Sequence, residues 1–519
     1  MKVQIISAKD AVALIPSGAT ICSQGMGGNN VAEELMLELE QSFLKKGTPN
    51  HLKWIHSSGQ GDSATRGLNH IGHEEMLDWI IGGHFNPAPR IQRLIMENKI
   101  KAYNLPQGVI SIMFRDIAAH RPTISRIGLH TFVDPRLDGG KLNACTTEDM
   151  VRLIELNGEN YLLYCHPPRL DFALLRGTYA DERGNISLEE EACYLESLQA
   201  AQAVKNSGGK VIVQVKSIVK SGSVDPRLVH IPGVFVDYVV PVSDQQNHMM
   251  TFAEQYNPAL CGNCRRVLLN ESGENQQLSA KNIISRRAAM ELTPHAVINL
   301  GIGVPEGIGL VAEQENIREW LTLSIESGPV GGIPSSGIAF GTSLNPEAIL
   351  DQCTQFDGYD GGSLDMAFLG LAEADGDGNI NVSKFGPKIA GAGGFINITQ
   401  ATPKVVFCGT FTTGGLKIHA DNGALTILQE GSVRKFVEQV QQITFSGPYA
   451  AACGQEVLYI TERAVFRLSE SGLVLTEVAP GIDLESQVLA QMDCRVRISK
   501  NLRKMDMRIF RRGRMGLKF

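Results

Sequence analysis

The stretch Leu323-Ser-Ile-Glu-Ser-Gly-Pro-Val-Gly-Gly332 places one acidic side chain, Glu326, between an apolar segment and a run of glycines. The apolar residues predict a strand that ends at Glu326, and the glycines leave the space beside its carboxylate open to a large reactant. Such a carboxylate can act as a nucleophile, a general base or a metal ligand. A metal role is disfavoured because the neighbouring sequence has no histidine or second carboxylate. The alternative is that Glu326 only caps the turn.

A second segment, Asn299-Leu-Gly-Ile-Gly-Val-Pro-Glu-Gly307, predicts a strand, a glycine turn at Gly301 and Gly303, and then a helix. Backbone amides at the start of a helix favour an anionic ligand. The segment is not the G-x-G-x-x-G dinucleotide fingerprint, because Glu306 stands where the last glycine is required. The earlier Gly25-Met-Gly-Gly-Asn-Asn30 fails the same test, so a nicotinamide site is disfavoured.

Two further segments carry donors suited to a developing oxyanion. In Gly391-Ala-Gly-Gly-Phe395 the backbone amides of Gly393 and Gly394 can converge on one point, and such a donor contributes about 3–4 kcal/mol in favourable cases. In Tyr103-Asn-Leu-Pro-Gln-Gly108 a rigid turn can aim the amide of Gln107 into a cleft. Taken singly, the first segment is equally a plain glycine turn, and the second is more readily a surface turn.

The elements that would position these residues occur twice along the chain. Residues 172–187 align without a gap on residues 366–381, and the same offset of 194 carries residues 210–213 onto 404–407. Upstream, Ile21-Cys-Ser-Gln-Gly-Met-Gly27 resembles Val297-Ile-Asn-Leu-Gly-Ile-Gly303, and residues 52–59 parallel residues 321–328. Each copy predicts strands that alternate with helices, which is typical of parallel sheets covered by helices. The first copy is longer than the second by about 82 residues.

The duplication predicts two domains of α/β class joined in tandem, at residues 1–242 and 282–519, with a linker at 243–281. The extra length of the first domain falls at about residues 60–145. Ser57 in the first copy aligns with Glu326 in the second, so only the second copy is expected to hold the reactive group. Gln107 comes from the first half and Gly393 from the second, so we expect the active site between the halves.

Composition narrows the class of protein. Hydrophobic residues make up 43% of the chain and the net charge is −7, which disfavours nucleic acid as a partner. No apolar run is long enough for a membrane span, and no signal segment precedes the first strand, so we expect a cytoplasmic protein with reduced thiols. Cys261 and Cys264 form a lone C-x-x-C, more consistent with a loop than with a metal or redox site. The basic stretch at residues 495–518 is expected to be a solvated, partly ordered tail; a patch for phosphates or another subunit is the alternative.

Taken together, these segments resemble the family I CoA transferases, and most closely the branch that includes propionate CoA-transferase and the acetate and acetoacetate CoA-transferases. The similarity covers nearly the whole chain in the expected order. Besides the segment that begins at Glu326, it is carried by residues 103–109, Thr131-Phe-Val-Asp-Pro-Arg136, Gly139-Gly-Lys-Leu-Asn143, Asn206-Ser-Gly-Gly-Lys210, Gly393-Gly-Phe-Ile-Asn-Ile398, Phe407-Cys-Gly-Thr-Phe411 and Tyr459-Ile-Thr-Glu-Arg-Ala-Val465.

The resemblance implies two duplicated three-layer α/β/α domains and a glutamate that forms a glutamyl-CoA thioester. Glu326 stands where that glutamate is expected, and Gln107 and Gly394 fall on segments that resemble the family's oxyanion hole. The residues expected to contact CoA or substrate are Gly301, Gly303, Gly328, Gly332, Lys388, Gly391 and Gly393. The resemblance further implies no bound metal or redox cofactor, and a homo-oligomer, expected to be a tetramer.

The function expected on this basis is ping-pong transfer of CoA from a short-chain acyl-CoA to acetate, propionate, acetoacetate or a similar acid. A thioester hydrolase on the same scaffold is the alternative if water reaches the intermediate before an acid does. A sensing or scaffold protein without turnover is disfavoured by the joint presence of Glu326, Gln107 and the glycine turns.

Overall fold

The computed structural model describes residues 3–167, 169–267 and 278–519, so residues 268–277 of the predicted linker lie outside the described residues. The chain forms two compact units. The first unit comprises Met1–Arg266, Ile325–Asp357 and Phe385–Asn397, and the second comprises Val267–Ser324, Gly358–Lys384 and Ile398–Phe519. The first unit therefore contains residues from both halves of the sequence, including Gln107, Glu326 and Gly393.

In chain order, the helices are α1 Ala8–Ala13, α2 Glu33–Lys46, α3 Pro89–Met96, α4 Gln107–Ala118, α5 Ser197–Asn206, α6 Ala280–Ala289, α7 Glu306–Gln314, α8 Gln352–Asp360, α9 Phe395–Ala401, α10 Gly447–Ala452 and α11 Leu484–Gln487. The strands are β1 Gln4–Ile5, β2 Thr20–Ser23, β3 Leu52–His56, β4 Leu77–Gly82, β5 Lys101–Asn104, β6 Thr123–Ser125, β7 Val151–Leu156, β8 Glu159–Tyr164, β9 Phe172–Asp181, β10 Ile186–Ser187, β11 Lys210–Val219, β12 Val229–Ile231, β13 Tyr238–Pro241, β14 Val297–Leu300, β15 Thr322–Ser324, β16 Pro329–Val330, β17 Ile333–Pro334, β18 Ser343–Leu344, β19 Ala348–Ile349, β20 Met366–Gly370, β21 Glu373–Ala374, β22 Ile380–Asn381, β23 Lys384–Phe385, β24 Lys388–Ile389, β25 Lys404–Cys408, β26 Thr412–Thr413, β27 Lys417–Asp421, β28 Ala424–Gln429, β29 Val433–Arg434, β30 Glu456–Ile460, β31 Ala464–Ser469, β32 Gly472–Val478 and β33 Arg497–Lys504.

A parallel sheet forms the centre of the first unit, with the strand order β1-β13-β11-β9-β2-β3-β4-β5. Successive residues of a strand point to opposite faces, so Leu174 and Leu175 of β9 enter different apolar clusters. Residues of α4 and α5 fill one cluster, and residues of α1, α2 and α3 fill the other. Because both faces are covered, the strands are apolar throughout rather than alternating, as parallel strands usually are.

The sheet of the second unit has a parallel part in the order β15-β14-β20-β25-β30. The strands β31 and β32 extend it in antiparallel fashion, and β33 runs parallel to β32. The α/β class with mostly parallel sheets, predicted from the sequence, is therefore confirmed.

Strand pairing repeats between the two sheets with the spacing that the sequence offset predicts. Lys210 lies opposite Phe172, and Lys404 lies opposite Met366. Trp54 pairs with Ile21, and Leu323 pairs with Ile298. Ile298 is therefore the counterpart of Ile21, one residue further along than the sequence alignment indicates, because the first copy has one more residue before its glycine turn.

The basic C-terminal stretch keeps its Lys and Arg side chains exposed, while two buried side chains of the second unit bind its backbone. The guanidinium of Arg286 on α6 donates to the carbonyls of Arg508, Ile509, Arg511 and Gly513 at 2.9–3.1 Å. The carboxylate of Glu315 accepts from the amides of residues 515–517 at 2.6–2.9 Å. Sequence composition could not reveal this, because both partners lie about 200 residues upstream.

Arg286→Met should release this tail, because its last carbonyls lose their donors. We expect the free energy of unfolding to fall by about 2–4 kcal/mol, and limited proteolysis to cut beyond Asp506 before the remaining chain is cut. Arg512→Met, at an exposed position of the same tail, is the matched control. Equal protease resistance of Arg286→Met and the wild type would contradict the assignment.

Candidate functional site

Glu326 sits in a tight turn two residues beyond β15. The amide of Gly328 donates to the carbonyl of Ile325 at 3.0 Å, and the amide of Ile325 donates to the carbonyl of Pro329 at 3.0 Å. These two bonds fix the backbone on both sides of Glu326, whose residue surface is 8% exposed. The turn then continues into β16, which pairs antiparallel with β19.

Gly328 allows this turn to lie directly on a neighbouring backbone segment. Its φ is +124°, and a Cβ built on it would lie 2.0 Å from the carbonyl oxygen of Leu350. The amide of Leu350 in turn donates to the carbonyl of Gly328 at 2.9 Å. Gly332 makes a similar approach, with a φ of +71° and 2.3 Å between a built Cβ and the carbonyl oxygen of Leu344. The spacing of glycines after Glu326 therefore serves close backbone contact; contact of either glycine with substrate stays a prediction.

Gly328→Ala should disrupt this turn, since an added methyl group would overlap the backbone of Leu350. We expect a loss of about 3 kcal/mol or more in the free energy of unfolding. Gly337→Ala is the matched control, because Gly337 also has a positive φ, +63°, but no atom lies within 4 Å of its built Cβ. The control should lose about 1 kcal/mol or less. Equal losses in the two variants, measured by urea unfolding, would contradict the assignment of a steric constraint to Gly328.

Gln107 is the first residue of α4 and follows Pro106. The residue is buried and therefore does not lie in a surface turn. Its backbone amide donates to the carbonyl of Gly393 at 2.9 Å. Its side-chain Nε2 donates to Oε1 of Gln352 at 3.1 Å. The structure thus brings Gln107 and Gly393 together, as the sequence segments implied.

The glycine segment that contains Gly391 and Gly393 lies across the ends of β4 and β5. The amide of Gly393 donates to the carbonyl of Gly83 at 2.7 Å, and the amide of Ala392 donates to Oδ1 of Asn104 at 2.8 Å. A Cβ on Gly391 would lie 2.9 Å from the oxygen of Gly83. Because the Gly393 amide is already engaged, a backbone oxyanion donor from this segment would have to be Gly394, which is buried next to it.

Lys388 lies exposed near this segment, and its charge acts on His84. Burial, together with the positive charge of Lys388, lowers the pKa of His84 to about 4. His84 is therefore neutral near pH 7, and its ring and Cβ lie 3.8–3.9 Å from a Cβ built on Gly393. Lys388 thus places a positive charge near the glycine segment, which fits an anionic ligand; contact between Lys388 and a ligand stays a prediction.

Gly301 and Gly303 belong to the second unit and form the predicted strand–turn–helix element between β14 and α7. Gly303 has a φ of +91° and open space around its built Cβ. Burial raises the pKa of Glu306 in the first turn of α7, against the lowering effect of a hydrogen bond from the Gly303 amide. This helix start therefore already faces a carboxyl group of its own chain, and binding of a ligand anion here stays a prediction.

Two residues that the sequence did not single out complete the surroundings of Gln107. Gln352, at the start of α8, accepts from Gln107 and donates through Nε2 to Oε2 of Glu196 at 3.0 Å. Ser57, the counterpart of Glu326 in the first copy, donates through Oγ to Oε1 of Glu196 at 2.7 Å. Burial raises the pKa of Glu196 to about 7, even though Ser57 and Ser111 hydrogen-bond to it. The only signal in the sequence was an acidic residue at the end of a run rich in glutamate.

Glu196 should make stability depend on pH. Its folded-state pKa of about 7 lies above its ordinary value of 4.5, so between these values the folded chain retains a proton that the unfolded chain loses. Stability must then fall as pH rises through this window, by up to about 3 kcal/mol. Measured as the melting temperature relative to Glu196→Gln, the wild type should lose stability from pH 4.5 to 7.5. A difference that stays constant or grows in favour of the wild type would contradict this assignment.

The cysteines and histidines form neither disulfides nor a metal-binding cluster in the part of the chain that the structure describes. All ten cysteines are free thiols, including Cys261 and Cys264. Within residues 3–167, 169–267 and 278–519, no group of three or more His, Cys, Asp or Glu side chains could hold a metal ion. His70 lies between the carboxylates of Glu33 and Glu40 at 2.9 and 2.5 Å, an ion-pair arrangement in the core of the first unit. In the described part of the chain, no helix combines the length and apolarity needed to cross a bilayer.

Comparison with known proteins agrees with this architecture. The family model "Coenzyme A transferase" matches residues 5–241. The chain is 44% identical to acetate CoA-transferase YdiF of Escherichia coli K12, over 99% of this chain and 96% of the relative. It is 45% identical to caffeate CoA-transferase of Acetobacterium woodii, over 98% of this chain and 97% of the relative. The crystal structure of the acyl-CoA transferase YdiF of E. coli O157:H7, as a thioester complex with CoA, matches with a TM-score of 0.93 and 42% identity, over 100% of this chain and 98% of that one.

The fold and these matches define a transferase of α/β class. The chain belongs to the coenzyme A transferase family and is an enzyme that transfers CoA. The family resemblance stated from the sequence is therefore confirmed.

Proposed function

We propose that the enzyme transfers CoA from a short-chain acyl-CoA to a short-chain carboxylate, such as acetate, propionate or acetoacetate, by a ping-pong mechanism through a glutamyl-CoA thioester on Glu326. The main structural support is that one short segment, Leu350 to Gln352, contacts both the turn of Glu326 and the side chain of Gln107. The backbone of Leu350 bonds to the turn that holds Glu326, and the side chain of Gln352 bonds to Gln107. Two residues span at most about 7 Å, so one segment ties the proposed nucleophile to the proposed oxyanion donor.

The reaction proceeds in two balanced halves. The Glu326 carboxylate attacks the thioester carbonyl carbon, the C–S bond breaks, and an acyl-glutamyl anhydride and CoA thiolate result. The thiolate attacks the glutamyl carbonyl, and the first acid leaves as its carboxylate. An acceptor carboxylate then attacks the glutamyl thioester and reverses the sequence, so that Glu326 is regenerated and a new acyl-CoA departs. Covalent storage of CoA between two substrates requires ping-pong kinetics.

Each attack creates a tetrahedral oxyanion, which needs donors already held in place. The side-chain N–H of Gln107 and the backbone amide of Gly394 are assigned this role. A donor that is fixed before the reaction does not have to reorganise in the transition state, which is why one such group contributes about 10²–10³ in rate. Binding of the long CoA moiety supplies further energy that compensates for a weak carboxylate nucleophile.

The CoA and substrate contacts are assigned to the glycine turns and one cation, namely Gly301, Gly303, Gly328, Gly332, Lys388, Gly391 and Gly393. Lys388 places a positive charge beside the glycine segment, and CoA carries phosphates that such a charge attracts. The proposed chemistry requires no metal or redox cofactor. We further propose a homo-oligomer, a tetramer by family resemblance.

The choice of a short acid rests on the sequence resemblance and on a relative named for acetate. Another relative at similar identity is named for caffeate, a larger aromatic acid. One methylene changes discrimination by only about 1–3 kcal/mol, so the acids that differ most in size separate the alternatives best.

Enzyme incubated with an acyl-CoA and no acceptor should gain the mass of CoA on the peptide that contains Glu326. Glu326→Gln should abolish the adduct and lower transfer by about 10³-fold or more. Glu347→Gln, at an exposed carboxylate in the same unit, is the control and should behave as the wild type. An adduct on another peptide, or undiminished transfer by Glu326→Gln, would overturn the assignment; release of thiol without any acid acceptor would favour a hydrolase.

A further inference from the structure

A group of buried polar side chains lies next to the end of β3. None of them has a part in the bond-making steps proposed above. The group consists of Ser57, Ser111, Glu196 and Gln352, none more than 1% exposed. Oε1 of Glu196 accepts from Ser57 at 2.7 Å, and Oε2 accepts from Gln352 at 3.0 Å and from Ser111 at 3.4 Å. The Nε2 of Gln352 also lies 3.0 Å from Oγ of Ser57 and 2.5 Å from Oγ of Ser111. A buried network of this kind holds its members in one arrangement when every group is satisfied.

Glu196 determines which way the amide of Gln352 points. Above a pH of about 7 the carboxyl of Glu196 is ionised and only accepts hydrogen bonds, so the NH₂ group of Gln352 must face it. The carbonyl Oε1 of Gln352 then faces the other way, where it accepts from Nε2 of Gln107 at 3.1 Å and from Oγ of Ser58 at 3.2 Å. Turning the amide over would set oxygen against the carboxylate and NH₂ against NH₂. The observed orientation is therefore the one that satisfies both ends.

The orientation of Gln352 in turn determines that of Gln107. The side-chain NH₂ group of Gln107 carries two hydrogens. One of them forms the hydrogen bond to Oε1 of Gln352. The second hydrogen stays on the same nitrogen and is fixed in direction by the first bond. If Gln352 turned over, Gln107 would follow, and its carbonyl oxygen would replace the N–H and repel an oxyanion.

We propose that Glu196, acting through Gln352, is a positioning residue that keeps the N–H of Gln107 directed at the oxyanion of the transfer reaction. This inference rests on the function proposed for Gln107 above. Ser57 takes part as a donor to Glu196. Ser57 and Glu326 occupy the same position in the two copies of the fold. In the second copy this position holds the proposed nucleophile, and in the first copy it helps to hold the proposed donor, Gln107.

The first test is Glu196→Gln, assayed at pH 8, above the pKa of about 7 of Glu196. The new amide offers donors where only acceptors stood, so Gln352 can turn over. We expect kcat to fall about 10-fold or more, with KM for acyl-CoA and acid within about twofold. Glu34→Gln is the control: Glu34 is a buried carboxylate of the same unit that accepts hydrogen bonds from the backbone amides of Ser243 and Asp244. An unchanged kcat in Glu196→Gln would overturn the proposal.

A double-mutant cycle separates positioning from general damage. In the Gln107→Ala background there is no amide left to orient, so Glu196→Gln should change kcat by less than about twofold. An equal loss of kcat in both backgrounds would show that Glu196 acts by another route and would overturn the proposal. If Glu196→Gln loses its cooperative melting transition, Gln352→Leu, which removes the acceptor for Gln107, takes its place in the same cycle.

A readout without turnover distinguishes this inference from the function on which it rests. With ¹⁵N-labelled glutamine side chains, the Gln107 amide signal is assigned by its loss in Gln107→Ala. It should shift in Glu196→Gln and stay in place in Glu34→Gln. An unshifted signal overturns the positioning role even where the CoA adduct forms on Glu326. A missing CoA adduct in the wild type overturns the proposed function, whatever the signal does.

Discussion

The backbone of Leu350 lies so close to Gly328 that no side chain fits between them, and most of the proposed site depends on this contact. The contact fixes the turn that carries Glu326. Two residues later, Gln352 enters the buried network that holds Gln107. A carboxylate is a weak nucleophile, so its rate depends on how well the surrounding donors are placed before the reaction. In this enzyme one short segment bonds through its backbone to the turn of the proposed nucleophile and through its side chain to the proposed donor.

The duplication explains how one frame came to support two different tasks. Leu323 and Trp54 occupy equivalent pairing positions in the two sheets. Glu326 lies three residues after Leu323, and Ser57 lies three residues after Trp54. In the second copy this position holds the proposed nucleophile. In the first copy a hydroxyl at the same position bonds to Glu196. The parallel sheet ends its strands at a common edge, so the polar residues that follow strands accumulate there, and only their types differ.

The features that could be predicted from the sequence are those encoded in contiguous segments. The strand before Glu326, the glycines after it and the 194-residue offset are all contiguous patterns, and they predicted the fold class and the family correctly. The hydrogen bond between Glu196 and Gln352 could not be predicted from the sequence. The two lie 156 residues apart, and neither residue type is unusual in its own segment. The anchoring of the basic tail by Arg286 could not be predicted either, because the charge of the tail does not indicate which side chain donates to its backbone carbonyls. The one-residue shift at Ile298 shows the same limit, since glycine matches align turns rather than strand registers.

In the proposed mechanism, Glu326 itself becomes bonded to CoA. A crystal structure of the enzyme incubated with acyl-CoA in the absence of acceptor acid tests this most directly. Continuous electron density is expected from the carboxyl carbon of Glu326 to the sulfur of CoA, with the carbonyl oxygen of that thioester within hydrogen-bond distance of Nε2 of Gln107. CoA bound without a covalent link to Glu326, or linked to a different side chain, would contradict it.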